Sequence, residues 1–159
     1  MIRPAALFVV LLACGPGSRG GPAMNNRIGG ADPVAQGSEV ASADILARDP
    51  VANNAQIKHI LIAWKELGNA KGAALERTKD QAESLVRSLM TQIKAGADFD
   101  MLMKQHSEDP GSATSARAYA VSPDAQLVIE FKQLGLRLNV NEVGVVQSDF
   151  GFHIMKRIE

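Results

Sequence analysis

The stretch Ile57-Lys58-His59-Ile60-Leu61-Ile62 decides the fold, because it is the first run in the chain with the pattern of a β-strand. Strand alternation predicts that Ile57, His59 and Leu61 point to one face of a sheet and that the other three point to the opposite face. Apolar residues on both faces indicate a central strand that is covered on each side. A buried imidazole without a partner costs free energy, so His59 must meet a polar group from elsewhere in the chain.

Composition limits the chain to one ordinary domain and argues against several classes of protein. The 159 residues are 46% hydrophobic, which is enough for a core, and their formal net charge of zero argues against nucleic-acid binding. Cys14 is the single cysteine, which excludes an internal disulfide and a cysteine-rich zinc site. The three histidines lie far apart in sequence and form no local ligand pair, so we expect no metal site.

The N-terminus has the pattern of a bacterial export signal. Residues 1–13 contain an early positive charge, Arg3, followed by an apolar run that is too short to span a bilayer stably. The run ends in Leu11-Leu12-Ala13-Cys14, which resembles the lipobox of bacterial lipoproteins and implies cleavage before Cys14 and its lipidation. By resemblance to known sorting patterns, Gly15 favours the outer membrane. An uncleaved anchor, or a soluble exported protein with a chance cysteine, is the alternative.

Residues 14–54 are predicted to be a lipidated N-terminus and a flexible linker. The segment Gly15-Pro16-Gly17-Ser18-Arg19-Gly20-Gly21-Pro22 has linker composition. Residues 42–48 are compatible with one helical turn, which Asp49-Pro50 ends. This linker would hold a folded domain of residues 55–159 away from a membrane surface.

Two helices with recognisable ends follow the first strand. Thr78 and Gln81 have the spacing of a capping box ahead of an apolar stripe, and Gly96 closes that helix. Asp98 is a suitable N-cap for a second, shorter helix. His106, at the end of this second helix, is expected to serve only in packing.

A third helix is predicted from an N-cap at Ser122 to about Leu136. It would place Leu127, Phe131 and Leu134 on one face. The pattern therefore predicts that Leu127 and Phe131 lie one helical turn apart, which by itself indicates a face packed in the core.

The remaining segments complete an α+β pattern. Residues 117–121 have the pattern of a short strand, and residues 142–147 and 152–158 have that of two longer ones. Asn139-Val140-Asn141 is a predicted turn, because asparagine tolerates the left-handed conformation. The order of elements predicts an α+β fold in which three to four helices surround a four-stranded antiparallel sheet.

Four motifs occur in an order that is similar to that of one known family. They are Lys58-His59-Ile60-Leu61-Ile62 in the first strand, Ala95-Gly96-Ala97-Asp98-Phe99 between two helices, the acidic turn Ser107-Glu108-Asp109-Pro110-Gly111-Ser112-Ala113, and the closing motif Ser148-Asp149-Phe150-Gly151-Phe152-His153-Ile154. Together they resemble the parvulin (PpiC, rotamase) family of peptidyl-prolyl cis/trans isomerases. The resemblance covers residues 56–159, about two-thirds of the chain.

The resemblance implies a set of site residues. The implied catalytic residues are His59, Asp109, Ser148 and His153, and the implied substrate-binding residues are Leu127, Phe131, Tyr119, Val121 and Phe152. Within the last set, Leu127 and Phe131 would hold the proline ring, and either Tyr119 or Val121 would supply the third apolar wall. Since the family's first and last strands are neighbours, His59 and His153 would meet.

The resemblance also implies a function without a cofactor or a metal. The chain would isomerise X-Pro bonds in polypeptide clients and assist their folding in the bacterial cell envelope. We expect a lipid-anchored monomer that binds no nucleic acid.

The chain departs from the family pattern in the segment after the acidic turn. The family's Gly-Gly pair and phenylalanine are absent from residues 114–121, and Asn141 stands where a glycine is usual. No Lys/Arg cluster follows the first strand, so we do not expect specificity for phosphorylated substrates. Trp64 is instead a candidate surface contact for extended peptide, and Arg77 is expected in a solvated loop.

Two other functions are compatible with single features of the sequence. The altered residues 116–121 are compatible with a non-catalytic chaperone module that binds peptide in the same groove. A serine hydrolase would use Ser, His and Asp, but the chain contains no G-x-S-x-G elbow, and neither Ser107 nor Ser148 lies at a strand-to-helix turn of that kind. We therefore favour the isomerase.

Overall fold

The computed structural model describes residues 40–159; the predicted signal peptide (residues 1–13), Cys14 and the first part of the predicted linker lie outside them. The elements are α1 (Ala43–Leu46), β1 (Ala55–Ile62), a 3-10 helix (Gly72–Leu75), α2 (Lys79–Lys94), α3 (Phe99–His106), α4 (Pro110–Ser115), β2 (Tyr119–Val121), α5 (Ile129–Gly135), β3 (Val143–Ser148) and β4 (Gly151–Arg157). The strands form one antiparallel sheet in the order β2-β1-β4-β3. The predicted α+β class is confirmed. The described residues contain more helices than predicted, because α1 and α4 are short helices in segments expected to be linker or turn.

The sheet is covered on both faces, as the apolar pattern of β1 predicts. Ile60 and Ile62 lie in a core with α2 and α3, and Ile57 lies in a second core with α5 and α1. The three isoleucines are 0% exposed, and each contributes roughly 2 kcal/mol through hydrophobic burial. In the sheet, β1 pairs with β4 from Ile57 to Ile62 and with β2 from Ala55 to Ile57, so His59 lies on an inner strand and is paired with β4.

The predicted helix ends are confirmed. Thr78 Oγ1 accepts a hydrogen bond of 3.3 Å from the Gln81 N–H, and Gln81 Oε1 accepts one of 2.9 Å from the Thr78 N–H, which completes the capping box of α2. Gly96 follows α2 with φ +93°. Asp98 caps α3 by accepting a 2.8 Å hydrogen bond from the Met101 N–H.

The predicted start of the third helix is wrong. Residues 122–128 form turns, and α5 begins at Ile129 after an extended Val128. The Leu127 N–H donates to the carbonyl oxygen of Ala125 over 2.8 Å, which is a turn contact and not the i to i−4 bond of an α-helix. Leu127 therefore lies on a turn, while Phe131 lies on α5.

Residues 40–54 are part of the fold, so the prediction of a flexible linker up to residue 54 is wrong for this stretch. Ile45 on α1 is 4% exposed in the second core. The Ser42 N–H donates to Val145 O over 2.8 Å, and Arg48 Nη1 forms an ion pair of 2.8 Å with Glu142. These contacts pack α1 against β3. Within the described residues, no helix has the length and apolar character needed to cross a membrane.

The hairpin between β3 and β4 closes tightly against the end of β1. Gly151 has φ +136°, and a Cβ atom at this position would stand 2.5 Å from the carbonyl oxygen of Ile62. Only glycine fits both this backbone angle and this close approach. Asn141, in the turn after α5, also has a positive φ of 68°, which asparagine tolerates. This confirms the turn predicted there.

We expect Gly151→Ala to destabilise the protein more than Gly96→Ala. Both changes place alanine at a positive φ, which costs about 1 kcal/mol, but Gly96 has no atom within 4 Å of the added Cβ. Alanine at position 151 also collides with the backbone of β1 and should add at least about 1 kcal/mol to that loss. Urea unfolding of the two variants measures the difference, and equal losses would contradict this account of the hairpin.

Candidate active site

Strand pairing brings the two predicted histidines together. In the β1–β4 register His59 lies opposite Met155 and His153 lies opposite Leu61, so the histidines are diagonal neighbours on one face. Their Nδ1 atoms are 3.2 Å apart, and their rings stack at 23° with centroids 5.3 Å apart. Each is 5% exposed. The predicted partnership of His59 with His153 is confirmed.

The acidic turn is fastened to the end of β1 by one backbone hydrogen bond and two hydrogen bonds to side-chain oxygens. The Leu61 N–H donates to Ser107 Oγ over 3.1 Å, and the Glu108 N–H donates to the Leu61 carbonyl oxygen over 2.9 Å. Two residues after Leu61, the Ala63 N–H donates to the side-chain oxygen Oε2 of Glu108 over 2.6 Å. These bonds fix the position of Asp109, the next residue, relative to His59.

Arg77 reinforces this attachment, although the sequence suggested that it lies in a solvated loop. Its side chain is 15% exposed, and Nη1 lies 2.9 Å from Glu108 Oε1. The same Nη1 donates to the carbonyl oxygen of Ala63 over 2.8 Å. The expectation for Arg77 is wrong because its partner Glu108 is distant in sequence, and a local charge pattern does not reveal such a pair.

Asp109 caps α4 and collects several donors on one oxygen. Its Oδ2 accepts 2.8 Å hydrogen bonds from the Ser112 N–H, the Ser112 hydroxyl and the Tyr119 hydroxyl. His59 Nε2 lies 3.4 Å from the same oxygen. An ionised carboxylate satisfies all four groups, because each of them can donate and the carboxylate only accepts.

The network shifts the pKa values of both acids in it. The hydrogen bond from His59 is the main reason that the pKa of Asp109 lies well below its usual range, and the Ser112 and Tyr119 donors act in the same direction against burial. Burial, followed by the hydrogen bond to Asp109, raises the pKa of Tyr119. At neutral pH the site therefore holds an aspartate anion and a neutral phenol.

The polar chain ends at Ser148 on the far side of His153. Ser148 Oγ lies 2.8 Å from His153 Nε2 and accepts a 3.1 Å hydrogen bond from the Phe150 N–H. Burial, followed by the charge that His59 can carry, lowers the pKa of His153 to about 3. His153 is therefore neutral at physiological pH, with one donor nitrogen and one acceptor nitrogen.

When His59 is neutral, one arrangement of protons satisfies every contact in this hydrogen-bonded chain. The Asp109 anion requires a proton on His59 Nε2, which leaves His59 Nδ1 as an acceptor. His153 then donates from Nδ1 to His59, and its Nε2 accepts from the Ser148 hydroxyl. The hydrogen bonds thus run in one direction from Ser148 to Asp109.

A small, mostly apolar cavity of about 190 Å³ opens beside this chain. It is lined by His59, Asp109, Tyr119, Gln126, Leu127, Val128, Phe131, Phe150 and His153. Phe131 forms the floor, since it is 3% exposed and meets His59 and His153 edge-on with ring centroids 5.0 and 5.5 Å away. Tyr119 also meets the His59 ring edge-on, at 5.2 Å. The cavity therefore combines an apolar pocket with a fixed negative charge.

Two residues predicted to bind substrate lie elsewhere. Val121 is 1% exposed in the second core, so Tyr119 and not Val121 lines the cavity. Phe152 is 0% exposed and packs against Trp64 on the opposite face of the sheet, with ring centroids 5.0 Å apart. The prediction for Phe152 is wrong because strand alternation sends it away from His153. Trp64, 6% exposed, is a core residue and not a surface contact.

Several residues at this site have no role that is predicted from the sequence. Ser112 is 0% exposed and bonds to Asp109 twice, and the Asp-x-x-Ser spacing of an N-capped helix was a signal for it. Phe150, Gln126 and Val128 line the cavity from turns, where periodicity carries no information. Among residues 40–159, no group of three or more His, Cys, Asp or Glu side chains is arranged to hold a metal ion.

The four-stranded antiparallel sheet, the histidine pair and the adjoining apolar cavity define a parvulin-type domain. A family model described as a PPIC-type PPIase domain matches residues 44–159. The chain belongs to this family of peptidyl-prolyl isomerase domains.

Similar proteins include two that are named for folding. The chain is 32% identical over 131 residues to the foldase protein PrsA of Geobacillus sp. (strain WCH70), covering 77% of this chain and 47% of that protein. It is 32% identical over 111 residues to the chaperone SurA of Pseudomonas aeruginosa, covering 67% of this chain and 24% of that protein. The chain thus spans less than half the length of either relative.

Solved structures share the fold. The peptidyl-prolyl isomerase ESS1 from Candida albicans aligns with a TM-score of 0.60 and 21% identity, covering 67% of this chain and 63% of that chain. The peptidylprolyl isomerase PrsA from Bacillus cereus aligns with a TM-score of 0.51 and 26% identity, covering 76% and 39%. The first likeness supports the fold alone, and the second agrees with the family assignment.

We expect acidification to destabilise the protein through His153. Its folded-state pKa of about 3 lies below the ordinary value of 6.5, so the unfolded chain binds more protons between these values and stability falls as the pH falls. Between pH 7 and pH 5 the loss is on the order of 2 kcal/mol. Asp109, whose pKa is also lowered, adds a loss below about pH 3.8.

Urea unfolding at pH 7 and pH 5 tests this expectation with His153→Gln as the comparison. Glutamine keeps a partner for Ser148 but does not titrate, so the variant should lose less than half as much stability as the wild type over the same interval. An equal loss in both proteins would assign the acid sensitivity to other groups.

Proposed function

We propose that the chain catalyses cis/trans isomerisation of X-Pro bonds in polypeptides outside the cytoplasm and thereby assists their folding. One observation carries the proposal: Leu127, Phe131 and Tyr119 line a mostly apolar cavity of about 190 Å³ beside the ionised Asp109 carboxylate. Membership of the PPIC-type family supports the same activity.

The chemistry requires no covalent intermediate. Rotation about an X-Pro bond is slow because amide resonance must be broken, at a barrier of ~20 kcal/mol. The protein accelerates it by stabilising the twisted amide more than either planar form. An apolar cavity that grips the proline ring while the preceding carbonyl group rotates meets this requirement.

In this proposal Asp109 acts electrostatically. The planar amide carries partial negative charge on its oxygen, and the twisted amide carries less because resonance is lost. An anion beside that oxygen raises the energy of the planar forms relative to the twisted one. Asp109 does not act as an acid here, since its lowered pKa keeps it ionised and its Oδ2 only accepts hydrogen bonds.

His59, His153 and Ser148 act as positioning residues in the proposal. His59 separates the buried His153 from Asp109, and its Nε2 proton faces the carboxylate. Ser148 fixes the tautomer of His153 through its 2.8 Å contact. The hydrogen bonds from Ser148 through the two histidines therefore hold the Asp109 carboxylate in one position. Without them, solvent would screen its charge.

The activity is tested by the cis-to-trans relaxation of X-Pro peptides. We expect the wild-type chain to accelerate it, and we expect Asp109→Asn and Phe131→Leu each to lower kcat/KM at least about tenfold, the first through lost charge and the second through a looser pocket. Met101→Ala is the matched control, because Met101 is 70% exposed and does not line the cavity.

The outcome also separates catalysis from simple peptide binding. No acceleration by the wild type, or full activity in both cavity variants, would contradict the proposed enzyme. Suppression of client aggregation by a wild type without isomerase activity would indicate the chaperone module. Loss of isomerase activity in Asp109→Asn with client protection retained would show that client protection does not depend on catalysis.

The proposal also places the protein in the bacterial cell envelope. Residues 1–13 would be its signal peptide and Cys14 the site of a lipid anchor, with Gly15 favouring the outer membrane. The domain would be a monomer that faces the periplasm or the exterior. The lipobox-like run before Cys14 supports the anchor.

Lipidation is tested by expressing Cys14→Ser in a bacterial host. We expect the wild type to incorporate labelled palmitate and to sediment with membranes, and the variant to lose the label and the anchor. Labelling that persists in the variant would contradict lipidation at Cys14.

A further inference from the structure

Phe150 is an exposed aromatic residue on the wall of the cavity. Six large hydrophobic side chains are exposed among residues 40–159: Val51, Leu75, Met101, Ile129, Val140 and Phe150. Phe150, at 47% exposed, is the member of this set that lines the cavity. Phe131, by contrast, is 3% exposed and belongs to the floor. Phe150 therefore presents apolar area that the proline pocket does not use.

The backbone around Phe150 is fixed on both sides. Its N–H donates to Ser148 Oγ over 3.1 Å, and its carbonyl oxygen accepts a 2.9 Å hydrogen bond from Asn69 Nδ2. Gly151, which follows, lies so close to the backbone of Ile62 that a Cβ atom would not fit between them. An aromatic side chain on a fixed turn loses little conformational entropy when it binds a partner.

Asn69 positions the turn at Phe150, although one atom of its own side-chain amide has no hydrogen-bond partner among the described residues. Its Oδ1 atom is buried and has no hydrogen-bond partner among the described residues, while Nδ2 holds the Phe150 carbonyl group. Exchanging the two amide atoms would place an oxygen against that carbonyl oxygen, so the observed orientation is required. An unsatisfied buried oxygen reduces stability. The contact thus fixes the position of the Phe150 carbonyl group.

The charges near the cavity favour an apolar partner for Phe150. Asp109 is ionised within the cavity, and Asp149, next to Phe150, is exposed. These carboxylates disfavour an acidic side chain in the same groove. Arg117 is a cation beside the cavity wall, since its guanidinium carbon lies over the Tyr119 ring, 5.3 Å from the ring centroid.

We propose that Phe150 is a specificity-determining residue, which contacts the side chain flanking the substrate proline and selects large apolar residues over acidic ones. Asn69 is its positioning residue. The inference rests on the proposed isomerase function. It adds the class of sequence that the groove prefers, namely proline next to an aromatic or branched aliphatic residue.

The test uses peptides in which the residue before or after proline is Leu, Phe, Glu or Lys, with kcat/KM measured for the full chain. For at least one of the two positions, we expect the wild type to prefer Leu and Phe over Glu by about fivefold or more. Phe150→Ser should reduce that ratio to about twofold or less, mainly by lowering the rate for the apolar peptides.

Two further variants distinguish a direct contact from a general loss of structure. Ile129→Ser removes a side chain that is 55% exposed and does not line the cavity, so it should keep the wild-type ratio. Asn69→Ala keeps the phenyl ring but releases the Phe150 carbonyl group, so it should give an intermediate ratio. Recovery of the ratio in Phe150→Leu would support an apolar contact.

The outcomes separate this inference from the proposed function beneath it. A wild type that accelerates no peptide in the panel would overturn the isomerase itself. A wild type that is active but accepts Glu as well as Leu at both positions, or a Phe150→Ser protein with the wild-type ratio, would overturn the inference alone. A preference for Glu would also overturn it and would assign the selectivity to Arg117.

Discussion

The register between β1 and β4 is the constraint on which the site depends. It places His59 and His153 on the same face as diagonal neighbours, 3.2 Å apart at their Nδ1 atoms. A slip of one residue would send His153 to the opposite face and leave His59 without its partner. The register is itself held by cores on both faces and by Gly151, which fits the hairpin against Ile62.

A single anion gives the polar chain its direction. Asp109 is anchored by the cap of α4, by Tyr119 and by the attachment of Ser107 and Glu108 to β1. Its charge favours a proton on the facing nitrogen of His59. When His59 is neutral, this makes His153 Nδ1 the donor to His59 and the Ser148 hydroxyl the donor to His153. A buried polar chain of this kind is stable only when every member is satisfied, so loss of one member affects all the others.

Local patterns in the sequence predicted the features that depend on neighbouring residues. Alternation in β1 correctly placed His59 inside a covered sheet, and the caps at Thr78 and Asp98 correctly marked two helices. The resemblance to a family supplied the pairing of His59 with His153, which no local pattern contains. Asp109 and Phe131 lie where the resemblance implied, beside the two histidines.

The sequence predictions that were wrong share one physical cause: tertiary contacts outweighed the local propensities of the residues. The Ser122 cap was a valid helix signal, but the following residues form turns that bring Leu127 to the cavity. Residues 40–54 have little periodicity, yet one buried side chain, Ile45, fixes α1 to the sheet. The pair of Arg77 with Glu108 and the place of Phe150 on the cavity wall also depend on contacts that are distant in sequence.

The ring tautomers of His59 and His153 show whether the hydrogen bonds run in one direction from Ser148 to Asp109. Nitrogen-15 NMR of the ring atoms at neutral pH can assign His59 and His153 by comparison with His59→Gln and His153→Gln, while His106→Gln removes the third histidine signal. The account predicts a proton on Nε2 of His59 and on Nδ1 of His153, the latter shifting when Asp109 is replaced by Asn. A wild-type His153 protonated on Nε2, or tautomers unchanged in Asp109→Asn, would contradict it.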